Sequence, residues 1–221
     1  MNFHHIYIMQ SEIKKISISL FGRIYGTHSQ FNFNKIVQSI YPEAQIDIYI
    51  HCWKYDSLHN KKYENNIDEI RAYFNPKKIV IDDLENVKYQ GNNTCIYMLY
   101  SIQHSMALAV SENIDYDLCL CVRPDIIINQ NPNFNNVLLE DNIINMYSCP
   151  SFAISGCSGV CDWLYVGNMK TFTSIVSINT KISFNISNET NIYNNFINNG
   201  ISIKIFGTIN DGELAIVRPW F

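Results

Sequence analysis

The sequence is poor in charge, and the charge that it carries is slightly acidic. Charged residues make up 16% of the 221 residues, and the formal net charge is −4. A protein that binds nucleic acid through phosphate contacts needs a surplus or a cluster of lysine and arginine, and this chain has neither. The composition therefore excludes a nucleic-acid partner held by bulk electrostatics.

Long apolar runs are also missing. No apolar stretch approaches the roughly 20 residues that a membrane-spanning helix needs. The first residues, "MNFHHIYIMQSEIKK", do not have the basic start and apolar core of a signal peptide. The sequence thus predicts neither a transmembrane segment nor a signal peptide, and we expect a cytoplasmic protein.

The seven cysteines lack the paired spacing of a zinc site. Cys149, Cys157 and Cys161 are near one another in sequence, but they form no C-x-x-C pair and have no histidine close by. Cys52 and the two cysteines of "LCLCV" fall inside apolar, strand-like runs, where a thiol behaves as a small hydrophobic group. We predict reduced thiols in a cytosolic compartment, and a zinc site is the less favoured alternative.

Strand-like and helix-like segments alternate along the chain. The patterns predict strands at 15–21, 45–53, 77–81, 118–122, 142–148, 163–167 and 201–206, and helices at 30–40, 65–74, 94–113, 168–178 and 189–199. The run "LCLCV" at 118–122 is continuously apolar, which is typical of a strand covered on both faces. The sequence therefore predicts one α/β domain over residues 1–221, with a mostly parallel sheet and helices on both faces.

The segment "DYDLCLCVRPDI", residues 115–126, places acids on both sides of a predicted strand. Asp115 and Asp117 form an Asp-x-Asp pattern, but they precede the strand and so lie at its amino end. Asp125 follows the strand, after Pro124, which has no N–H for a further ladder bond. Ligands of open α/β sheets bind at the carboxyl ends of the strands, so we predict Asp125 as the functional acid.

A carboxylate at that position suits a hard divalent cation such as Mg²⁺ or Mn²⁺, which takes oxygen ligands from a few carboxylates, water and phosphate. Arg123 is expected either to neutralise a diphosphate or to fix the Asp125 carboxylate in a bidentate pair. A plain ion pair at the strand end is the alternative to metal-phosphate binding.

Several segments together resemble a known family. "YDLCLCVRPDI" is similar to the "YD-apolar-R-x-D" segment of small GT-A fold glycosyltransferases that build surface glycans in bacteria and large DNA viruses. "KISISLFGRIYG", "YPEAQIDIYIHCW", "YSIQHSMALAVSENIDYD", "CDWLYVGNMKTF" and "SNETNIYNNFINNGISIK" resemble further segments of that family, in the same order. The resemblance implies sugar transfer from a nucleoside diphosphate sugar to a hydroxyl of a glycan or glycoprotein acceptor, assisted by Mn²⁺ or Mg²⁺ bound at Asp125.

The same reading assigns roles at the predicted strand ends. Gly22 allows close backbone approach, and Arg23 contacts the nucleotide or phosphate unless it is a solvated loop residue. Asp162 is the predicted general base, because partial burial beside an apolar run raises a carboxyl pKa. The alternative for Asp162 is a structural turn cap, and Glu189 is a weaker candidate base.

Three further side chains are assigned to the donor site, each with a structural alternative. Trp53 either stacks on the nucleobase or a sugar ring, or it packs in the core. Ser101 and Gln103 either reach the sugar donor or tie the helix to a strand end.

The sequence departs from the family in one respect. Where typical members have an Asp-x-Asp at this strand end, Arg123 replaces the first acid. Strict metal dependence therefore does not follow, and Arg123 is a candidate to neutralise charge itself. Two other functions stay open: a non-catalytic carbohydrate- or nucleotide-binding remnant, and a metal-dependent phosphohydrolase or nucleotidyltransferase, although no Gly-rich phosphate loop is present.

Overall fold

The computed structural model of the protein describes residues 13–22, 24, 31–58, 61–83, 94–128, 132–148, 160–181, 188–208 and 214–216. The strands in these ranges, numbered in chain order, are β1 (Lys15–Gly22), β2 (Gln45–Trp53), β3 (Tyr55–Leu58), β4 (Lys61–Glu64), β5 (Lys78–Asp82), β6 (Leu118–Val122), β7 (Ile126–Ile128), β8 (Ile143–Ser148), β9 (Val160–Gly167), β10 (Ser202–Thr208) and β11 (Leu214–Ile216). Seven of them form one sheet in the order β10-β8-β9-β6-β1-β2-β5.

Most neighbours in this sheet are parallel. β1 pairs in parallel with β2 and β6, β2 with β5, and β8 with β10. β9 is the exception, because it lies between β6 and β8 and is antiparallel to both. The predicted mostly parallel sheet is therefore confirmed, and the reversed direction of β9 was not predicted.

Helices cover both faces of the sheet, as predicted. The described α-helices are α1 (Phe33–Ile40), α2 (Ile67–Phe74), α3 (Thr94–Val110), α4 (Met169–Val176) and α5 (Asn188–Asn198). Side chains of α1 and α2 pack in one hydrophobic core, and those of α3, α4 and α5 pack in a second core on the opposite face. Strand β1 lies between β6 and β2, contributes to both cores and is buried along six successive residues. Its apolar Ile16, Ile18 and Leu20 alternate with Ser17 and Ser19, which are small and also buried.

Two short strand pairs lie outside the main sheet, and the sequence reading missed both. β3 and β4 form an antiparallel hairpin directly after β2. β7, which follows the end of β6, pairs with β11. The pairing of β7 turns the chain away from the main sheet immediately after Asp125, so that this residue is held at the sheet edge rather than in a long loop.

One edge of the sheet collects the polar residues of interest. The carboxyl ends of β1, β2, β5 and β6 meet there, and the reversed β9 brings its amino end to the same place. We call this the carboxyl edge. In open α/β sheets it is the edge at which ligands bind.

Two further observations concern membrane-spanning helices and thiols. No helix within the described ranges is both long and apolar enough to cross a membrane. Cys119 and Cys121 are buried free thiols, and burial raises the pKa of Cys119 to about 12. Cys149 and Cys157 of the alternative zinc site lie outside the described residues.

Candidate active site at the carboxyl edge

Arg123 is the centre of an ion-paired group at the end of β6. Its backbone N–H donates to the carbonyl of Trp163 on β9 at 3.1 Å, which is the last contact of the β6–β9 ladder. Its Nε donates to Oδ1 of Asp125 at 2.9 Å and its Nη2 to Oδ2 at 2.6 Å. Its Nη1 lies 3.4 Å from Oδ2 of Asp162. The guanidinium therefore bridges the two acids, with Asp125 held in a bidentate fork.

Burial makes the charges of this group interact strongly. Asp125 and Asp162 are 8% and 4% exposed. Burial acts to lower the pKa of Arg123, but the Asp125 and Asp162 carboxylates outweigh it and raise that pKa further above its usual value, so the guanidinium stays charged. Burial raises the pKa of Asp162 above its usual value, against the attraction of Arg123. A carboxylate with a raised pKa is a better proton acceptor at neutral pH.

The residues around Asp125 do not fit a divalent cation bound in the described arrangement. Both oxygens of Asp125 already accept hydrogen bonds from Arg123. The guanidinium also places a positive charge on the side of the carboxylate where a cation would bind. The sequence left two roles open for Arg123, and in the structure it forms the bidentate pair with Asp125. Metal binding at Asp125 stays a prediction.

The structure places the competing Asp-x-Asp pattern away from this site. Oδ2 of Asp117 accepts hydrogen bonds from the backbone N–H groups of Lys14 and Lys15, each at 2.8 Å, just before β6 begins. The carboxylate thus fixes the entry into β1 at the amino edge of the sheet. This is the position that the sequence order predicted.

A second polar group lies at the ends of β2 and β5. His51 is fully buried, and its Nδ1 lies 2.7 Å from Oγ of Ser101 on α3. Its Nε2 lies 3.0 Å from Oδ2 of Asp82 at the end of β5. The hydroxyl of Tyr100 donates to the same Asp82 oxygen at 3.0 Å. The backbone N–H of Gly22 donates to Oγ of Ser101 at 3.0 Å, which joins this group to the end of β1.

The connection from Ser101 to His51 to Asp82 has the order of a hydrolase triad, but it does not provide a nucleophile. Ser101 is fully buried, and its hydroxyl oxygen already accepts from Gly22. A nucleophile must reach the reacting carbon of a substrate. The structure therefore gives Ser101 a structural role, and it does not favour the predicted contact with a sugar donor.

Aromatic rings surround this second group. Trp53 is buried and stacks on Tyr100, with ring centroids 5.5 Å apart. Tyr100 in turn stacks on the exposed ring of His104 at 3.7 Å. Trp53 also meets His51 edge to face at 5.2 Å. Trp53 is thus packed as the core alternative expects. Its stacking on a nucleobase or sugar ring stays a prediction, since Trp53 ends β2 at the carboxyl edge.

Gln103 ties α3 to the end of α4. Its amide nitrogen donates to the carbonyls of Ile175 and Ile178 at 3.0 and 2.9 Å, and its oxygen accepts from Thr180 at 3.1 Å. All of these partners belong to α4 and the segment after it. In the structure Gln103 connects α3 to the segment at the end of α4. Its contact with a sugar donor stays a prediction.

Gly22 and Arg23 were predicted as a nucleotide-binding pair. Gly22 has φ of +96°, a conformation that side chains rarely adopt, so glycine is required where β1 turns into the next segment. Arg23 lies outside the described residues.

Sequence reasoning missed Asp82 and His104. The signal for Asp82 was its place directly after the apolar run "KIVI", the same cue that selected Asp125. His104 stands on a flank of α3 and carries no local motif. Only the packing of α3 against β2 brings it to the carboxyl edge, with its ring centroid 5.3 Å from that of His51.

Comparison with known proteins identifies the fold. No family profile and no curated protein matches the sequence. Among solved structures, the galactosyltransferase LgtC in complex with donor and acceptor sugar analogues matches with a TM-score of 0.50 and 11% identity, over 86% of this chain and 72% of that one.

Two other solved structures match with lower TM-scores. A glycosyltransferase involved in glycosylation of the major capsid of PBCV-1 has a TM-score of 0.43 and 11% identity, over 86% and 80% of the two chains. An inositol-1-phosphate CTP transferase from T. maritima has 0.47 and 10%, over 92% and 91%. At the identity of the LgtC match the likeness concerns the fold alone, and it confirms the predicted GT-A-like α/β fold.

Proposed function

We propose that the protein is a glycosyltransferase that moves a sugar from a nucleoside diphosphate sugar to an acceptor hydroxyl. The observation that carries the proposal is the Arg123 group: one arginine between two buried acids, at the carboxyl edge of a GT-A-like sheet. The glycan or glycoprotein nature of the acceptor rests on the sequence resemblance alone. The cytoplasmic location stays an expectation from sequence patterns and cysteine use.

Arg123 is proposed to bind the diphosphate leaving group. Among the described residues, its contacts with Asp125 and Asp162 use three of its five N–H groups, and two remain for phosphate oxygens. As the bond between the anomeric carbon and the diphosphate oxygen breaks, negative charge grows on that oxygen. A fixed, permanently charged donor at this point stabilises the transition state more than the ground state.

Asp162 is proposed as the general base of a direct displacement. In that step the acceptor oxygen bonds to the anomeric carbon, the diphosphate leaves with the electron pair of the broken bond, and the acceptor proton moves to the Asp162 carboxylate. The raised pKa of Asp162 makes the proton transfer more favourable than it is for an exposed aspartate. Arg123 keeps the carboxylate oriented from 3.4 Å.

Asp125 is proposed to position Arg123. The bidentate fork fixes the plane of the guanidinium, so that its two outer N–H groups point in defined directions. The assistance by Mn²⁺ or Mg²⁺ that the family resemblance implies stays a prediction, and a chelator tests it directly. No step of the proposed transfer is assigned to the ion.

The test is release of nucleoside diphosphate from a panel of UDP-, GDP-, CDP- and dTDP-sugars, measured with EDTA and with added Mn²⁺. The proposal expects release from at least one donor by the native protein, and loss of release in the Asp162→Asn variant with its fold and nucleotide binding retained. Binding of a nucleoside diphosphate without release from any donor would instead establish a non-catalytic binding protein. Unchanged release by Asp162→Asn would contradict the role of Asp162.

A further inference from the structure

We propose that His51, Asp82 and His104 form a binding site for a divalent transition-metal ion of the Zn²⁺ or Co²⁺ type. One ligand atom from each side chain lies within 4.8 Å of the other two. The site is at the ends of β2 and β5, with α3 supplying the third ligand. The proposal is independent of glycosyl transfer, because none of these residues has a role in the proposed step.

The distances suit a metal ion bound by imidazole and carboxylate. With metal–ligand bonds near 2.0–2.1 Å, two ligand atoms of a tetrahedral site lie roughly 3.3 Å apart. Nε2 of His51 and Oδ2 of Asp82 are 3.0 Å apart, close to that spacing. His104 is exposed, and its ligand nitrogen lies within 4.8 Å of the ligand atoms of His51 and Asp82. Metal binding would draw this nitrogen closer by rotation of the side chain.

The surroundings of His51 are those of a supported metal ligand. When Nδ1 carries the proton, it donates to Oγ of Ser101 at 2.7 Å, and Nε2 turns its lone pair toward Asp82. Metal-bound histidines almost always donate their other N–H to such a partner. Ser101 is itself held by the N–H of Gly22 and lies within 3.4 Å of the carbonyl of His51, to which its hydroxyl then donates. In this tautomer the hydrogen bonds between His51 and Ser101 are kept, while Nε2 and the Asp82 carboxylate face each other as two electron-pair donors.

Without an ion, the 3.0 Å contact between Nε2 of His51 and Asp82 is a hydrogen bond only when Nε2 carries the proton. In that tautomer the Ser101 hydroxyl donates to Nδ1. Metal binding would therefore replace the proton between His51 and Asp82 and leave the surrounding structure in place. If His51 and Asp82 form only a structural hydrogen bond, the protein binds no ion at this point. If they form a metal site, the protein binds an ion there and the binding depends on His104.

The donor set selects the kind of ion. Two imidazole nitrogens and one carboxylate oxygen suit Zn²⁺, Co²⁺ and related ions, whereas Mg²⁺ and Ca²⁺ prefer all-oxygen sites. The exposure of His104 keeps one side of the site open, as in metal sites that retain a water. Neighbouring strands lie about 4.8 Å apart, so the end of β2 is roughly 10 Å from that of β6, and the ion would be separate from the Arg123 group.

The test is titration of the chelator-treated protein with Co²⁺, followed by the visible absorption bands of the ion, and competition with Zn²⁺. All proteins in the comparison carry His4→Ala and His5→Ala, so that the two adjacent histidines near the N-terminus cannot contribute metal ligands. His104→Phe keeps a ring against Tyr100 but removes the ligand nitrogen. Asp82→Asn removes the carboxylate ligand. Asp141→Asn is the matched control, because it makes the same change at an aspartate whose side chain is 53% exposed.

We expect the parent protein and Asp141→Asn to bind one Co²⁺ with the absorption of a four- or five-coordinate site, and Zn²⁺ to displace it. Changes in groups that only support a ligand weaken metal binding 10–100-fold, so loss of a ligand in His104→Phe should weaken Co²⁺ binding by at least about 100-fold. The melting temperature of His104→Phe without metal should match that of the parent, since the ring is exposed. Absence of saturable Co²⁺ binding by the parent, or equal binding by His104→Phe, would overturn the proposal.

Discussion

At the scale of single residues, the proposed function depends on Arg123, which stands where the family resemblance leads one to expect the first acid of an Asp-x-Asp pattern. The exchange leaves Arg123 between Asp125 and Asp162 and makes the guanidinium the positive charge of the site. The sequence could supply the residues and the strand end at which they occur. It could not decide between a metal-bound and an arginine-bound Asp125, because that choice depends on side-chain geometry in three dimensions.

Replacing Arg123 with lysine keeps the charge and removes the planar fork. We expect donor turnover to fall by about 100-fold, the usual effect of removing a fixed donor to developing charge. Loss of the charge-assisted bonds to Asp125 should lower the free energy of unfolding by about 1.5–3 kcal/mol. Urea unfolding and initial rates check both effects.

Lys170→Met is the matched control for this variant. Lys170 pairs with Asp141 at 3.0 Å, and the two side chains are 79% and 53% exposed. An exposed pair contributes little, so the free energy of unfolding should change by less than about 1 kcal/mol. Equal effects of Arg123→Lys and Lys170→Met on stability and turnover would contradict the buried fork.

Asp162→Asn tests the raised pKa of Asp162. Because this pKa is higher in the folded protein than in the unfolded chain, the folded state holds more protons in the window between the two values. The contribution of Asp162 to stability is therefore largest below the unfolded value of 3.8 and is lost as pH rises through the folded pKa. Asparagine does not titrate, so the melting temperature of the variant relative to the native protein should rise with pH across this window.

Asp141→Asn should show the opposite trend, because the bonds from Lys170 and Asn168 lower the pKa of Asp141. Its stabilising contribution appears as pH rises from the lowered folded pKa to the unfolded value of 3.8, so the variant should lose melting temperature relative to the native protein across this lower pH range. Melting curves of the three proteins between about pH 2 and 8 cover both ranges. A pH-independent difference for Asp162→Asn would contradict its burial as a titrating acid.

At the scale of helices and strands, the periodicity of the sequence predicted most elements to within a few residues. The observed β2 (45–53) and β6 (118–122) have the predicted bounds, and α3 ends at 110 rather than 113. Hydrophobic patterns report burial, so they find strands and helices reliably. They carry no information on strand direction, and for that reason the reversal of β9 was missed.

That reversal decides the position of Asp162. The residue stands near the start of β9, and in a parallel sheet it would lie at the amino edge, with Asp117. Because β9 is antiparallel to β6, Leu164 pairs with Val122, and Asp162 reaches Arg123. The neighbouring sequence suggested Asp162 as a site residue. Its place at the carboxyl edge depends on the direction of β9, which the sequence pattern did not reveal.

Gln103→Ala tests whether the tether between α3 and α4 is only structural. The change leaves the carbonyls of Ile175 and Ile178 without their donor, and we expect the free energy of unfolding to fall by about 1–3 kcal/mol. The Michaelis constant for the donor should stay the same within a factor of two or so, since a change that small is under 0.5 kcal/mol. Urea unfolding and donor saturation curves measure the two effects. A raised Michaelis constant at unchanged stability would restore the donor contact predicted from the sequence.

At the scale of the whole molecule, the carboxyl edge carries two polar groups on either side of β1. One is the Arg123 group at β6 and β9, and the other is the His51 group at β2, β5 and α3. The fold class followed from the alternation of elements. The sequence pattern did not predict the His51 group. Asp82 and His104 belong to separate elements and come together only because α3 packs on β2.

The most direct test of the central claim is a thermal-shift panel of UDP, GDP, CDP and dTDP, with EDTA and with Mn²⁺, on the native protein and Arg123→Lys. A ligand that binds only the folded state raises the melting temperature. We expect one nucleoside diphosphate to stabilise the native protein in the presence of EDTA, and Arg123→Lys to lose most of this shift in melting temperature. No shift with any nucleotide at millimolar concentration, or an equal shift in Arg123→Lys, would contradict this claim.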